Sequence, residues 1–438
     1  MRLNNKGFAI SGVIYALMFV FIAFMFGILG ILGTRKLTLD KYKFEVANNL
    51  ENNNIGLSYS KVDKSGAPAP ILSKGMIPVR YEDNNLVKAD FKSEYDQNWY
   101  SYEKKDWANA VIVKSETLLN YENMEPGTLI NDNDILGYYV WIPRYKYRLF
   151  NTNFNFSEVS NIEIIFENID TPKSTGVLND TYLTHPAFTF GDQEISGFWF
   201  AKFETTGTLS NPTSLPNSKS ITNASVKSMF DSVKNVESNY IQNGDMHMTK
   251  NIEWSAVSYL ATSGYGIEDI EVGKNGYNNS GVKTGCANGT SVNSTICINQ
   301  FRNSDTYPQS TTGNITGVFD MSGGNWEYVM AVLYNNEPLY LLSGFDESNI
   351  PNKKYYDTYT YELNLDGSIK YKQGLIGSST FEVLGWYQDR NTMVNEEYPW
   401  QFRGGCKNDD VDAGIFAYSA EKGGANGSIS YRISIVSE

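Results

Sequence analysis

The chain has 438 residues, of which 41% are hydrophobic and 14% aromatic, and its formal net charge is −13. This length and apolar content suffice for a substantial core, so the chain is expected to fold. The acidic balance, without any basic stripe among its 36 Lys and Arg residues, argues against a nucleic-acid partner, whose phosphates require clustered cations.

The first predicted element is an uncharged run over residues 8–34, FAISGVIYALMFVFIAFMFGILGILGT. As a helix it is long enough to cross a hydrocarbon core of about 30 Å, and it is longer than the apolar part of a secretory signal peptide. Cations stand on both sides of the run, at Arg2, Lys6, Arg35 and Lys36, so they do not settle its orientation. The run predicts a single membrane span.

The junction before this run is Lys6-Gly7-Phe8, and it resembles the leader of type IV prepilins, which a dedicated peptidase cuts between Gly and Phe. The resemblance implies processing between Gly7 and Phe8 and a helix that continues as a stalk to residue 50. Major pilins carry Glu at the position of Gly12, so a minor or tip pilin fits better than a bulk fibre subunit. An uncleaved membrane anchor is the alternative.

Residues 51–75 are rich in Asn, Gly, Ser and Pro, which predicts a linker. From Met76 onward, short apolar and aromatic runs alternate with turns, as is typical of strands: MIPVRY, NWYSY, ANAVIV and GYYVWIPRYKYRLF. In the last run Arg144, Lys146 and Arg148 alternate with apolar residues and are predicted to be exposed. Only one internal helix is predicted, over NIEWSAVSYLATSGYG.

Few residues suggest catalysis or metal binding. His185 and His247 have no neighbouring cysteine and no zinc or facial-triad spacing, so we interpret both as packing or turn residues. No nucleophile elbow, phosphate loop or dinucleotide fingerprint occurs.

The three cysteines divide into a pair and a single residue. Cys286 and Cys297 bracket a short Gly/Asn/Ser loop and are expected to form a disulfide outside the membrane, worth roughly 2–3 kcal/mol. Cys406 is left over. Beside Arg403 and Lys407 it is either an activated thiol or a small buried residue.

Five segments, in order, resemble the formylglycine-generating-enzyme or sulfatase-modifying-factor family, a branch of the C-type lectin fold. They are HPAFTFGDQEISGFWFAKFETTG, NIEWSAVSYLATSGYG, GVFDMSGGNWEYV, FRGG and SYRISI. The third segment matches the family signature at Asp320, Met321, Gly323, Trp326 and Glu327, and departs from it at Gly324, Asn325 and Tyr328. The resemblance runs from Gly137 to Val436.

Active members of this family hold one copper-binding cysteine four residues after the RGG and a second five residues further on. Those positions are Asp409 and Gly414 here, and neither offers the thiolate that copper(I) needs. The resemblance therefore implies a protein that is not an enzyme. It implies no catalytic cofactor and leaves room for a structural calcium ion.

The segment RGGCKNDDVDAGIFAYSAEKGGANGSISYRI, residues 403–433, lies where C-type lectin folds present a binding face. It resembles the variable regions that diversity-generating retroelements rewrite by mutating adenines, because it is rich in Asn, Asp, Ser and Tyr. The predicted frame consists of Gly404, Gly405, Ala413, Gly414, Ile415 and Phe416. The predicted ligand-binding residues, all within a region of about 403–432, are Lys407, Asn408, Asp409, Asp410, Asp412, Tyr418, Ser419 and Glu421. Such short polar side chains with Tyr bind at low entropic cost.

The predicted fold class is α+β, with an N-terminal membrane-spanning helix before a β-rich, C-type-lectin-like domain. The predicted domains are a leader at 1–7, a span and stalk at 8–50, a linker at 51–75, a small β-rich subdomain at 76–136 and the lectin-like domain at 137–438. The predicted function is ligand binding or adhesion at a bacterial cell surface. The expected partners are the membrane, pilus subunits and an extracellular protein or glycan. The alternatives are a sulfatase-modifying-factor enzyme with rearranged cysteines and a structural pilin subunit.

Overall fold

The computed structural model describes residues 63–90, 99–149, 162–175, 182–268, 270–274 and 301–437, together with residues 18 and 19. The chain divides into two units between Gly56 and Leu57, and the fold described below belongs to the second unit.

The described residues form 21 strands and three α-helices. The strands of the first half are β1 (Met76–Glu82), β2 (Asn85–Lys88), β3 (Asn109–Val113), β4 (Ile135–Pro143), β5 (Tyr145–Leu149), β6 (Ile162–Phe166), β7 (Leu183–Thr184), β8 (Thr189–Phe190), β9 (Gln193–Glu194), β10 (Gly197–Ala201), β11 (Thr206–Thr208), β12 (Asn211–Thr213) and β13 (Gly244–Met248). Those of the second half are β14 (Trp326–Asn335), β15 (Glu337–Pro338), β16 (Asp357–Leu363), β17 (Ile369–Gln373), β18 (Trp400–Gly404), β19 (Gly414–Glu421), β20 (Ile429–Tyr431) and β21 (Ile433–Ser437). The helices are α1 (Ser115–Asn123), α2 (Val226–Tyr240) and α3 (Asn251–Ala261).

Two seven-stranded sheets organise the fold. The first has the order β13-β21-β10-β4-β3-β1-β2 and is antiparallel throughout. The second has the order β17-β16-β14-β18-β19, and β14 also pairs with β15 and β20. The first sheet crosses the predicted domain boundary at residue 136, because β3 pairs directly with β4, which spans the boundary.

The helix α3 lies between the two sheets. The indole nitrogen of Trp254 donates to the carbonyl of Ile415 on β19 at 2.9 Å. The ring of the same tryptophan meets Phe200 of β10 with its centroid 6.4 Å away. Nearly every residue of α3 is buried, so the helix belongs to the core of both sheets. The predicted internal helix is confirmed.

Two further helices, α1 and α2, were not predicted. The helix α2 carries Val226, Met229, Phe230 and Val233 at helical spacing and buries all four. Ser225 caps it, because its hydroxyl accepts a hydrogen bond from the Ser228 amide at 3.3 Å.

The predicted fold class, α+β with an N-terminal membrane-spanning helix, is wrong. The fold is mostly β, because the aromatic and β-branched runs outside the recognised motifs also pair into strands. Within the residues that the structure describes, no helix combines the length and the apolar character needed to cross a bilayer. Of the predicted span, residues 8–34, all but Met18 and Phe19 lie outside the described residues.

The charge alternation after β4 does not place Arg144 in solvent. This side chain is fully buried, and its guanidinium contacts Glu167 at 2.9 Å and Glu194 at 2.6 Å. Lys146 and Arg148 are partly exposed, as the alternation predicts. Arg144 stands in the break between β4 and β5, where the period of two of a continuous strand no longer applies.

The described part of the predicted strand NWYSY, residues 99–102, does not form a strand. Ser101 makes a single bridge to Asp106, and residues Tyr102–Lys104 form a 3-10 turn between them. The segment therefore closes back on itself instead of extending along a sheet.

A buried charge cluster joins β13 to α2 and α3. The ring of His247 lies 3.4 Å from Asp245 and 2.9 Å from Glu253, and Asp245 also receives Lys234 and Lys354 at 3.2 and 2.7 Å. Burial alone would lower the pKa of His247, but the charges of Glu253 and Asp245 outweigh burial and raise the pKa to about 9. His247 is thus a charged residue that joins Asp245 to Glu253. His185 packs among Tyr145, Tyr147 and Tyr259, as predicted.

The His247 cluster predicts a loss of stability in mild alkali. Because the folded pKa of about 9 exceeds the ordinary value of 6.5, the stabilisation is complete below pH 6.5 and is lost as pH rises through 9. The expected loss is about 3 kcal/mol. Urea unfolding of the protein at intervals across this range measures it.

The control for this experiment is His247→Gln, which should flatten the decline above pH 8. Glu204 has a pKa raised to about 8, mainly by burial. Its contribution to the loss of stability with rising pH therefore ends near pH 8 and is the same in the variant. An unchanged slope between pH 8 and 9 in His247→Gln would exclude the histidine as the source.

Candidate functional site

The β18–β19 hairpin carries the predicted ligand-binding residues. Its strands pair regularly from Trp400 opposite Glu421 to Arg403 opposite Tyr418, and the register then jumps to Gly404 opposite Gly414. Residues 415–417 therefore bulge out of the ladder, and residues 405–413 connect the two strands.

The two glycines at the start of this connection are required by its geometry. Gly404 and Gly405 have φ angles of 92° and 77°, which side chains rarely adopt. A Cβ on Gly405 would also stand 2.5 Å from the Cα of Ala413. All six residues of the predicted frame are buried.

We call residues 406–412 the hairpin loop. An internal turn shapes it: the amide of Cys406 donates to the Asp409 carboxylate at 2.6 Å, and the amide of Asp409 donates back to the Cys406 carbonyl at 2.9 Å. The amide of Asp412 then donates to the Asp409 carbonyl at 2.9 Å. Asp409 thus acts within the loop as the residue that orders it.

Two outside hydrogen bonds between backbone groups attach the hairpin loop to the body of the fold. The amide of Lys407 donates to the Gly324 carbonyl at 2.8 Å, and the amide of Arg390 donates to the Asp412 carbonyl at 2.8 Å. Gly324 belongs to the segment that resembles the family signature. Both ends of the loop are therefore held by backbone hydrogen bonds, which do not involve the exposed side chains of Asn408, Val411 and Asp412.

Five of the eight predicted ligand-binding residues reach solvent. Asn408 and Asp412 are exposed, and Lys407, Asp409 and Glu421 are partly exposed. The side chain of Asp410 lies outside the described part of the structure.

Tyr418 and Ser419 do not project outward, contrary to the prediction. Their side chains are 1% and 4% exposed. The guanidinium of Arg403, the cross-strand partner, stands 5.5 Å from the Tyr418 ring centroid. The segment from Arg390 to Thr392 covers the outer edge of β19, because Tyr418 exchanges backbone hydrogen bonds with both residues. This covering segment makes β19 an interior strand at this point.

Asp389 lies beneath the bulge of β19. Its carboxyl group is 2% exposed and accepts a hydrogen bond from the Phe416 amide at 3.0 Å through one oxygen. The other oxygen has no hydrogen-bond partner among the described residues. Burial, together with the charge of Glu271, raises the pKa of Asp389 well above that of an ordinary carboxyl. The carboxyl group is packed directly against Gly414.

Cys406 is a free thiol at the start of the hairpin loop. Burial raises its pKa to about 11, and the hydrogen bond to Asp409 adds to the effect. Arg403 does not activate the thiol, because its guanidinium is buried and bonds to Ser379. Of the two interpretations offered by the sequence, the activated thiol disagrees with this geometry, and the expected buried residue is only partly buried.

Other predicted site residues lie outside the described residues: the processing site Gly7 and Phe8, and the disulfide pair Cys286 and Cys297. In the described ranges, no three His, Cys, Asp or Glu side chains are grouped so that they could hold a metal ion. The structural calcium ion stays a prediction.

The sequence reasoning missed three contributors to this surface. Val411, between two aspartates, is 56% exposed, although it is apolar. Lys274 donates to the Val411 carbonyl at 2.6 Å, and Arg390 lies 3.8 Å from the Asp409 carboxylate. The valine in Asp410-Val411-Asp412 could have indicated a contact surface from the sequence alone. The two cations come from distant parts of the chain, so no local pattern indicates them.

Models of known protein families give no match to this chain, and a search of curated proteins likewise gives none.

Proposed function

We propose that this chain is a ligand-binding protein and that the hairpin loop, residues 406–412, is its contact surface. The observation that carries the proposal is the contrast between a backbone fixed at both ends and side chains that point to solvent at Asn408, Val411 and Asp412. A surface ordered before binding loses little conformational entropy when a partner docks. Display at the cell surface, which the N-terminal resemblance implies, is part of the same proposal.

The chemistry of the hairpin loop favours a protein partner with basic groups. Val411 supplies an exposed apolar contact next to the exposed carboxylate of Asp412. Apolar contacts beside charged groups are common in protein interfaces. The exposed carboxylate of Asp412 would pair with Lys or Arg of the partner and set the orientation of docking.

The enzymatic alternative receives less support from the same residues. A thiol whose pKa is raised to about 11 is protonated at neutral pH and is a poor nucleophile and metal ligand. The carboxylate of Asp409 is engaged with the Cys406 amide, and Gly414 is packed against Asp389. These contacts support a binding role for the loop over a rearranged copper site.

The proposal predicts that Val411→Ala with Asp412→Ala strongly weakens binding without unfolding the protein. Both side chains are exposed, so each change should alter the free energy of unfolding by less than about 0.5 kcal/mol. Loss of these two contacts should weaken binding by about 2 kcal/mol or more, which is roughly thirtyfold. An array of surface proteins and glycans identifies the ligand, and titration of wild type and variant measures the difference.

A matched control lies at the tip of the β16–β17 hairpin, where Leu365 and Asp366 are also an exposed apolar residue followed by an aspartate. Leu365→Ala with Asp366→Ala should leave binding unchanged. Equal losses in the two double variants would show that binding does not depend on the hairpin loop. Binding that survives the Val411 and Asp412 changes would refute the assignment of the surface.

A further inference from the structure

The hairpin loop is also held by a side chain from a distant segment. Lys274 donates a hydrogen bond from Nζ to the Val411 carbonyl at 2.6 Å, across 137 positions of the chain. Val411 lies in a short 3-10 turn, Asp410–Asp412, at the end of the loop. The last carbonyls of a helical turn have no partner inside it, and a nearby lysine can supply one. Lys274 therefore bonds to a carbonyl that the turn itself leaves open.

Lys274 is itself fixed by its own segment. Its ammonium group lies 3.2 Å from the Glu271 carboxylate, and its side chain is 20% exposed. The amide of Gly273 donates to the Pro308 carbonyl at 2.6 Å, which ties this segment to the turn that contains Pro308. A Cβ on Gly273 would stand 2.9 Å from that carbonyl oxygen, so glycine permits the close approach. Lys274 thus reaches the hairpin loop from an anchored position.

The bond from Lys274 differs from the other hydrogen bonds that fix the hairpin loop. Those of Lys407 and Arg390 join backbone groups, and that of the Cys406 amide stays inside the loop. The Lys274 bond is charge-assisted, which makes it stronger than a bond between neutral groups. It also acts on the residue that carries the exposed apolar side chain, so it fixes the position of Val411 directly.

We propose that Lys274 is a positioning residue for ligand binding, and that its bond to the Val411 carbonyl holds Val411 and Asp412 in the orientation that the partner contacts. This inference rests on the function proposed for the hairpin loop. Lys274 acts through the loop and not by contact with the partner, because it limits the conformations that the free loop samples. A loop that is ordered before docking loses less conformational entropy on binding, so the expected effect is on affinity.

The first test measures amide hydrogen exchange of residues 406–412 in the full-length protein, for wild type and Lys274→Met. Methionine is a long side chain without an N–H to donate, so exchange in the loop should become about threefold faster or more. Lys274→Arg keeps a donor and the charge, and it should restore most of the protection. The melting temperature should change little, because the lysine side chain is partly exposed.

The second test screens wild type on an array of surface proteins and glycans, and titrates the component that binds with each variant. Lys274→Met should bind this component about threefold to tenfold more weakly, through faster dissociation, and Lys274→Arg should restore most of the affinity. The control is Lys372→Met, which removes the same charge from β17, where the lysine pairs with Glu362. Unchanged binding in this control excludes an effect of net charge.

The two readouts separate the positioning role from the proposed function. The positioning role is overturned if exchange in residues 406–412 is the same in Lys274→Met as in wild type, or if both bind the array component equally well. Equal weakening by Lys372→Met also overturns it, because the effect would then be one of charge. If wild type binds no component of the array, the proposed function fails and the role in binding fails with it, whereas the exchange experiment still shows whether Lys274 orders the loop.

Discussion

Replacing Arg432 by methionine should lower the free energy of unfolding by about 5 kcal/mol, which is among the largest effects a single buried ion pair produces. The side chain is 1% exposed, and two of its nitrogens contact the two oxygens of Glu327 at 2.9 and 2.6 Å. Its third nitrogen donates to the carbonyls of Ala201 and Phe319 at 3.0 and 3.1 Å. Arg432 therefore joins β10 of the first sheet to β14 of the second.

The loss is large because the substitution leaves the Glu327 carboxylate buried in the core without its partner charge. Burial already raises the pKa of Glu327 against the opposing charge of Arg432, and without that charge the group must either stay ionised at high cost or bind a proton. The two carbonyls would also lose their donor. Chemical denaturation of wild type and variant at neutral pH measures the difference.

Two further variants test whether the loss of stability comes from the Arg432–Glu327 ion pair. Arg432→Lys keeps the charge but loses the two-pronged contact, so its effect should fall between wild type and methionine. Arg432→Met combined with Glu327→Leu removes both charges and should recover a substantial part of the loss. A loss below about 1 kcal/mol for Arg432→Met would contradict the buried pair.

Gly414→Ala should lower the free energy of unfolding by about 3 kcal/mol or more, although it adds a single methyl group. The Cβ would stand 2.0 Å from both carboxyl oxygens of Asp389, and that carboxyl is itself 2% exposed. The backbone of Gly414 is not left-handed, so the cost is steric and does not come from the φ angle. Thermal and chemical unfolding of the variant measure it.

Shortening the neighbour should relieve the clash. Asp389→Ala alone loses the hydrogen bond to the Phe416 amide, and in the Gly414→Ala background it should restore part of the lost stability. The double-mutant cycle then gives a coupling of about 1–3 kcal/mol. Additive effects would mean that the Asp389 carboxyl does not pack on Gly414.

Elements with a local signal were predictable from the sequence. The runs that became β1, β3 and β4 alternate or concentrate apolar residues between turn signals, and α3 combines helical spacing with a Gly-containing stop. The frame of the hairpin loop was also predictable, since Gly404 and Gly405 indicate a backbone that other residues rarely adopt. The helix α2 had an equally local signal in Val226, Met229, Phe230 and Val233, and it could have been found.

The predictions that were wrong concern residues whose burial depends on contacts between distant segments of the chain. The burial of Tyr418 follows from the covering segment after Asp389 and from Arg403 across the ladder, and neither can be read from the residues beside it. The burial of Arg144 depends on Glu167 and Glu194. The predicted fold class was wrong because many short runs outside the few recognised segments also became strands.

The position of β21 has a consequence for biosynthesis. This strand lies between β10 and β13, and Thr249, which follows β13, bonds to Ser434 although 185 residues separate them. The ribosome therefore releases β10 and β13 long before the strand that joins them, and both present open edges in the meantime. Closure of the first sheet must follow translation of residues 433–437, and until then the open edges of β10 and β13 are available for pairing with other strands.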